Sequence, residues 1–133
     1  MGAAKTDLNA KERSLESRYH ALDSAEGVRL LLGDYHALQA RQYAGDYDAV
    51  VILIDLRRAM ANANLTERQR EALRMVFFDD MAQVDVAHKL RVSKQTVNRL
   101  LAVALAKVAR VYEAWARMGE GYSLGGIETG GER

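Results

Sequence analysis

The chain has 133 residues, a formal net charge of +1, and neither cysteine nor proline. The length fits one domain of ordinary size, and the lack of thiols excludes a disulfide framework, a thiolate zinc site and a cysteine nucleophile. No apolar run reaches the ~20 residues that a membrane-spanning helix needs, and the first residues lack the apolar stretch of a secretory signal. We therefore expect a cytoplasmic protein that does not enter a membrane.

Composition and charge distribution narrow the fold and the function. Apolar residues make up 49% of the chain and aromatic residues only 7%, and no proline interrupts a helical hydrogen-bond ladder, so we predict an all-α protein. Residues 1–66 carry 8 basic and 9 acidic side chains, residues 67–110 carry 9 and 5, and residues 111–133 carry 2 and 4. The positive charge therefore lies in one third of the chain.

Residues 1–64 are predicted to form an N-terminal helical region that belongs to the core or mediates dimerisation. Apolar side chains recur there at helical spacing, and breaks are expected at Gly33–Asp34 and Gly45–Asp46. The run Val50–Ile54 is β-branched, but the residues around it extend the pattern past strand length, which favours a helix. Two pairs have the spacing of a helix cap and its third residue: Asn9 with Glu12, and Asp23 with Glu26.

Residues 65–118 are predicted to form a helix-turn-helix region. A capping box of Thr66 and Gln69 opens a first helix, which we expect to end near Phe78. A short helix follows at Gln83–Leu90. The side chains expected to face inward are Leu73, Val76 and Phe77 on the first helix and Val84, Ala87 and Leu90 on the second.

A longer basic helix completes the motif. Ser93 is a good N-cap, and nothing after Lys94 breaks a helix before Gly119. In a helix-turn-helix the first helix braces the second, whose N-terminal turns enter the DNA major groove. At about 100° per residue, Val97 and the apolar residues that follow it form one side of this helix, and polar side chains form the other.

The polar side carries residues suited to reading DNA. Gln and Asn pair with adenine and Arg pairs with guanine, so Gln95, Asn98 and Arg99 are predicted base contacts. Lys94 and Thr96 flank them and could contact either bases or phosphates. The predicted phosphate contacts are Lys89, Arg91, Ser93 and Thr96. Each of these residues taken singly is also compatible with an ordinary solvated helix face. No cofactor and no catalytic residue is predicted.

The order of motifs in this region resembles region 4 of the sigma-70 family. The similarity runs over about 45 residues, from Leu65 through Thr96-Val97-Asn98-Arg99 to Lys107. It implies that the helix beginning after Ser93 recognises a −35 promoter element. It also implies docking on the β-subunit flap of RNA polymerase. By motif position, Lys94, Gln95, Asn98 and Arg99 match the family's base-contacting positions.

Two departures limit what the resemblance implies. Gln95 stands where the family commonly has a base-reading Glu, so the usual −35 sequence is not expected. The N-terminal half also lacks the aromatic-rich pattern of sigma region 2. The chain is therefore similar to stand-alone transcriptional regulators of phage or prophage type.

The long helix extends beyond what DNA reading requires. Its apolar residues have coiled-coil spacing, and the packing set comprises Leu101, Val108, Val111 and Trp115. Either the N-terminal helices cover this seam within one chain, or it forms a homodimer. Residues 119–133 hold six of the ten glycines and are predicted to be a disordered tail.

Three other functions compete with a DNA-binding regulator. Asp79, Asp80 and Asp85 could suggest a metal-dependent enzyme, but no His lies near enough in sequence to complete a ligand motif, so neither an enzyme nor a metal site is predicted. An adapter could bind RNA polymerase without reading DNA. The small subunit of a phage terminase also uses this motif, but usually places it before the oligomerisation helices.

Overall fold

The computed structural model describes residues 21–118, and in this part of the chain every regular element is helical, as predicted. The elements are α1 (Ala25–Gly33), α2 (Tyr35–Tyr43), α3 (Tyr47–Asn62), α4 (Glu67–Leu73), a π-helical turn (Arg74–Phe78), α5 (Gln83–Leu90) and α6 (Lys94–Arg117). The predicted cap at Asn9 and the predicted tail at residues 119–133 lie outside the described residues.

The first three helices are separated at the two predicted breaks, but the cap of α1 is not the predicted one. Ser24, not Asp23, caps α1: its hydroxyl accepts the Gly27 amide at 3.1 Å and donates to the Ala21 carbonyl at 3.0 Å. A carboxylate could accept the first bond but could not donate the second. Gly27 is needed here because the Ala21 carbonyl occupies the space of a Cβ.

The region around α4 confirms the predicted capping box and corrects the predicted apolar face. Thr66 and Gln69 exchange both bonds of the box. Beyond Leu73 the helix widens into the π-helical turn, with the Asp79 amide bonded to the Arg74 carbonyl at 2.8 Å. The extra residue in this turn rotates the face, so Met75 is buried while Val76 and Phe77 are only partly buried.

The short brace helix α5 has the predicted bounds but turns a different valine inward. Val86, Ala87 and Leu90 are buried, whereas Val84 is 53% exposed. Val84 and Val86 lie at opposite ends of the apolar arc that Ala87 and Leu90 share, and only one of them can face α6.

The central element is α6, which packs against α1, α3, α4 and α5. Its fully or nearly fully buried residues are Val97, Leu101, Ala104, Leu105, Val108 and Ala109. They meet the buried faces of α1 and α3, including Leu31 and Leu53, in one core. The chain's own helices therefore cover the buried part of the predicted seam.

Candidate nucleic-acid interface

A tight turn joins α5 to α6. Arg91 is the C-cap of α5 and has a left-handed φ of 60°. The amides of Arg91 and Val92 bond to the carbonyls of His88 and Ala87 at 3.2 and 3.0 Å. Ser93 then caps α6 by accepting the Thr96 amide at 3.0 Å, which confirms the predicted cap. The turn holds the start of α6 against the brace helix α5. This is the arrangement of a helix-turn-helix.

The four predicted base-contacting residues lie together on the outer side of α6. Lys94, Gln95, Asn98 and Arg99 are all exposed, while Val97 between them is fully buried. The buried side of the helix therefore aims the four side chains into solvent over its first two turns. The structure brings this predicted set together, and its contact with bases remains a prediction.

The predicted phosphate-contacting residues divide into two kinds. Lys89 and Arg91 are exposed near the turn that precedes α6 and the four predicted base-contacting residues. The hydroxyls of Ser93 and Thr96 are already engaged, because they bond each other at 3.0 Å and Ser93 also caps the helix. Ser93 and Thr96 therefore have a structural role that is independent of any phosphate.

Basic residues predominate in the stretch of sequence that carries these side chains. Residues 86–112 contain six basic residues and no Asp or Glu. Within residues 21–118, Lys89, Arg91, Lys94 and Arg99 form no ion pair with a carboxylate. These four cations are therefore available to an anionic polymer such as a nucleic acid backbone.

The predicted packing residues on α6 differ in their burial. Leu101 and Val108 are fully buried within the chain, whereas Val111 and Trp115 are partly buried near the helix end. The Arg58 guanidinium lies 5.3 Å from the centre of the Trp115 ring. A shallow groove of about 420 Å³ runs along this end, between α6 and the residues that follow α3.

One long-range contact of α6 was missed by sequence reasoning. Lys107 is basic and partly exposed, so it could be counted as a phosphate contact, yet its ammonium donates to Gln69 Oε1 at 3.0 Å and to the Asn64 carbonyl at 3.2 Å. No local sequence signal indicates this contact, because the two acceptors lie 38 and 43 residues away.

The carboxylates considered for a metal site do not form one in the described part of the chain. Asp79 pairs with Arg74 at 2.9 Å, and no group of three acidic or His side chains within residues 21–118 is arranged to hold a metal ion. No helix in this range is long and apolar enough to cross a membrane.

Comparison with known proteins agrees with this geometry. Residues 63–110 match the family model for sigma-70, region 4. The match contains the capping box of α4, all of α5 and most of α6. The resemblance predicted from the sequence motifs is therefore confirmed for this segment.

Two curated relatives extend the comparison. Both are described as RNA polymerase sigma factor SigF, one from Mycobacterium tuberculosis strain CDC 1551 / Oshkosh and one from strain ATCC 25618 / H37Rv. Each is 37% identical over 97 residues, which cover 69% of this chain and 35% of the relative. The chain thus spans about a third of the length of these relatives. No solved structure gives a significant match.

Proposed function

We propose that the chain is a sequence-specific DNA-binding regulator of transcription, because residues 63–110 match the family model for sigma-70, region 4, and helix-turn-helix folds of this kind bind DNA. Helix α6 lies in the major groove in this proposal. The single observation that carries it is the exposed group of Lys94, Gln95, Asn98 and Arg99 on the first two turns of a helix whose other side is buried.

The chemistry of the four side chains suggests how they read DNA. Arg99 makes a bidentate contact with guanine O6 and N7, and Gln95 and Asn98 each pair with adenine N6 and N7. Lys94 donates to guanine or to a nearby phosphate. Because Gln95 has an amide where a Glu would accept from the cytosine amino group, the preferred duplex differs from a typical −35 element.

Lys89 and Arg91, with the N-terminal turn of α6 at Ser93 and Thr96, supply the phosphate contacts. Such contacts fix the register of the helix on the duplex and provide affinity that does not depend on sequence. The absence of acidic residues from 86 to 112 supports this role, since no carboxylate in that stretch repels the backbone. Acting on DNA, the protein would work in the cytoplasm.

The proposal includes contact with RNA polymerase only through the segment that matches sigma-70, region 4. The relatives are described as RNA polymerase sigma factors, and the family resemblance implies docking on the β-subunit flap. Because the chain spans about a third of those relatives, we do not extend the activity of a whole sigma factor to it. The relatives are bacterial, so they give the expectation of a phage or prophage origin no support.

The homodimer remains a prediction, and fewer of the predicted packing residues are left to form its interface. Leu101 and Val108 lie in the chain's own core, so two copies would have to meet through the Val111 and Trp115 end of α6. A dimer would combine the modest phosphate contacts of each copy on one duplex. Sedimentation equilibrium distinguishes a monomer or dimer, which suits a regulator, from the ring of about eight subunits expected of a terminase small subunit.

The decisive experiment is the selection of bound duplexes from a random pool, followed by variants of the reading residues. We expect Arg99→Ala and Gln95→Ala each to reduce discrimination between the selected and a random duplex by about 1–3 kcal/mol, because each removes a base contact. Binding constants from fluorescence anisotropy at several salt concentrations provide the measurement.

Arg110→Ala is the matched control. Arg110 is exposed on the same helix but lies about 16 Å beyond Arg99 along the helix axis. It should leave discrimination unchanged. If Arg99→Ala binds both duplexes as tightly as the unaltered protein, α6 is not the reader. Polymerase binding without DNA binding would favour the adapter function instead.

A further inference from the structure

One side chain bonds α6 to the elements that precede it. The Lys107 ammonium donates to the side-chain oxygen of Gln69 at 3.0 Å and to the backbone carbonyl of Asn64 at 3.2 Å. Gln69 lies in the first turn of α4, and Asn64 lies in the connection between α3 and α4. Lys107 therefore joins the recognition helix to two points outside it.

Both acceptors are themselves held in place. Gln69 is only 9% exposed, and its Oε1 also accepts the Thr66 amide at 3.0 Å as part of the capping box. Asn64 has a left-handed φ of 58° between two buried neighbours, Ala63 and Leu65. Lys107 thus bonds to acceptors whose positions are fixed by the fold.

The direction of Lys107 separates it from the reading residues. At about 100° and 1.5 Å per residue, it points roughly 180° away from Asn98 and 80° away from Arg99, and lies about 12 Å beyond Arg99 along the helix. Its ammonium is occupied by α4 and the preceding connection. The side chain is therefore poorly placed to contact a phosphate of a duplex that lies against the first turns of α6.

We infer that Lys107 is a positioning residue that sets the rotation of α6 about its axis, and so the direction of the four reading side chains; this inference rests on the proposed function. The buried contacts of Val97, Leu101 and Val108 are apolar, and the hydrophobic effect that drives them has no preferred direction. The two hydrogen bonds of Lys107 are directional and resist rotation of α6. A rotated α6 would still meet the phosphates but would misalign with the base edges.

The first test replaces Lys107 with Met, which keeps the apolar stem and removes both bonds. We expect Lys107→Met to lower the ratio of selected to random duplex affinity by about tenfold, equivalent to roughly one base contact. The slope of log affinity against log salt should stay unchanged on both duplexes, because no phosphate contact is lost. Arg110→Met, which removes a charge from the same helix, should change neither quantity.

A chemical rescue gives a second and independent test. The chain has no cysteine, so Lys107→Cys introduces a single thiol. Alkylation with 2-bromoethylamine restores an ammonium at nearly the length of lysine, whereas alkylation with iodoethane leaves a neutral side chain. We expect the first reagent to restore discrimination and the second to leave it low.

Several results would overturn the inference. A salt slope that falls by about one, with equal weakening on both duplexes, would show that Lys107 contacts a phosphate. Unchanged discrimination in Lys107→Met would show that the bonds do not orient α6, and the proposed function would still stand if Arg99→Ala lost discrimination. Loss of helical circular dichroism in Lys107→Met would assign the bonds to the fold instead. Failure of the unaltered protein to bind DNA would remove both proposals.

Discussion

At the scale of single residues, Arg91 combines a conformation and a charge that seldom occur together. It ends α5 in the left-handed region at φ 60°, where glycine is favoured because a Cβ is strained. Its side chain is exposed and pairs with no carboxylate within residues 21–118. A cation at a position that favours glycine is explained if the side chain binds something outside the fold.

Replacing Arg91 separates the two effects. We expect Arg91→Gly to raise the free energy of unfolding by about 0.5–1 kcal/mol, because the strain is relieved, and to weaken binding to every duplex alike because a phosphate contact is lost. Urea unfolding and anisotropy titrations measure the two quantities. Arg91→Ala, the control, should weaken binding equally without the gain in stability. Unaltered affinity in both variants would remove Arg91 from the interface.

At the scale of helices, the start of α3 depends on a carboxylate. The Asp46 side chain accepts the amides of Asp48 and Ala49 at 3.1 and 3.4 Å and pairs with Arg41 at 2.9 Å. Partial burial raises the pKa of Asp46, but the Arg41 guanidinium and the two amides outweigh that effect and hold the pKa below its ordinary value of 3.8. The folded state therefore favours the charged cap.

This lowered pKa predicts a pH dependence of stability. The contribution of the Asp46 charge is complete above the unfolded-state pKa and is lost as the pH falls through the lower folded-state pKa. We expect Asp46→Asn, which keeps a good cap, to be less stable at pH 7 by roughly 0.5–1 kcal/mol and to approach the unaltered protein as the pH falls below the ordinary pKa of 3.8. Urea unfolding at several pH values measures this difference.

The variant Arg41→Met tests the source of the effect. Combined with Asp46→Asn, it should add less than the sum of the single changes, because both remove the same pair. A stability difference for Asp46→Asn that does not shrink as the pH is lowered from 7 to well below 3.8 would show that the charge is not its cause.

Local chemistry explains which helix boundaries could be predicted. The caps at Thr66 and Ser93 are correct because each bond joins residues three apart and depends on residue type alone. The π-helical turn could not be predicted, because no local residue pattern marks its extra residue. Its Phe78 ring lies 4.4 Å from the ring of Tyr35, which is near only after folding. The prediction of the inward face of α5 was wrong for a related reason. A two-turn helix offers too few residues to decide whether Val84 or Val86 faces the core.

The same distinction applies to the candidate site. The exposure of Gln95, Asn98 and Arg99 follows from helical periodicity, which the sequence contains. The role of Lys107 depends on Gln69, which is distant in sequence and near only after folding. A basic residue on a basic helix gives no indication that its charge is used inside the molecule.

At the scale of the whole molecule, α6 supplies both the centre of the core and the candidate interface. Its middle is buried by α1, α3, α4 and α5, and its final turns are covered less completely, around Val111 and Trp115. The Trp115 ring meets the Tyr112 ring edge-on at 5.3 Å and lies near Arg58 of α3. This end of α6 therefore packs against the N-terminal helices through Trp115.

Truncation of Trp115 tests that connection. We expect Trp115→Ala to lower the free energy of unfolding by about 1–3 kcal/mol, because a partly buried ring is lost between α3 and α6. Discrimination between duplexes should be unaffected, since Trp115 lies about 24 Å from Arg99 along the helix. Thermal unfolding, anisotropy and sedimentation together check this, and unchanged stability with unchanged mass would show that the ring holds neither the fold nor a subunit contact.

The separation of the two sides of α6 has a consequence for how this protein can diverge. Its outward side chains near Ser93 bear none of the packing, so substitutions at Gln95, Asn98 or Arg99 leave the buried apolar surface intact. A lineage could therefore acquire a new operator preference through a few codon changes, with no compensating mutations in its interior.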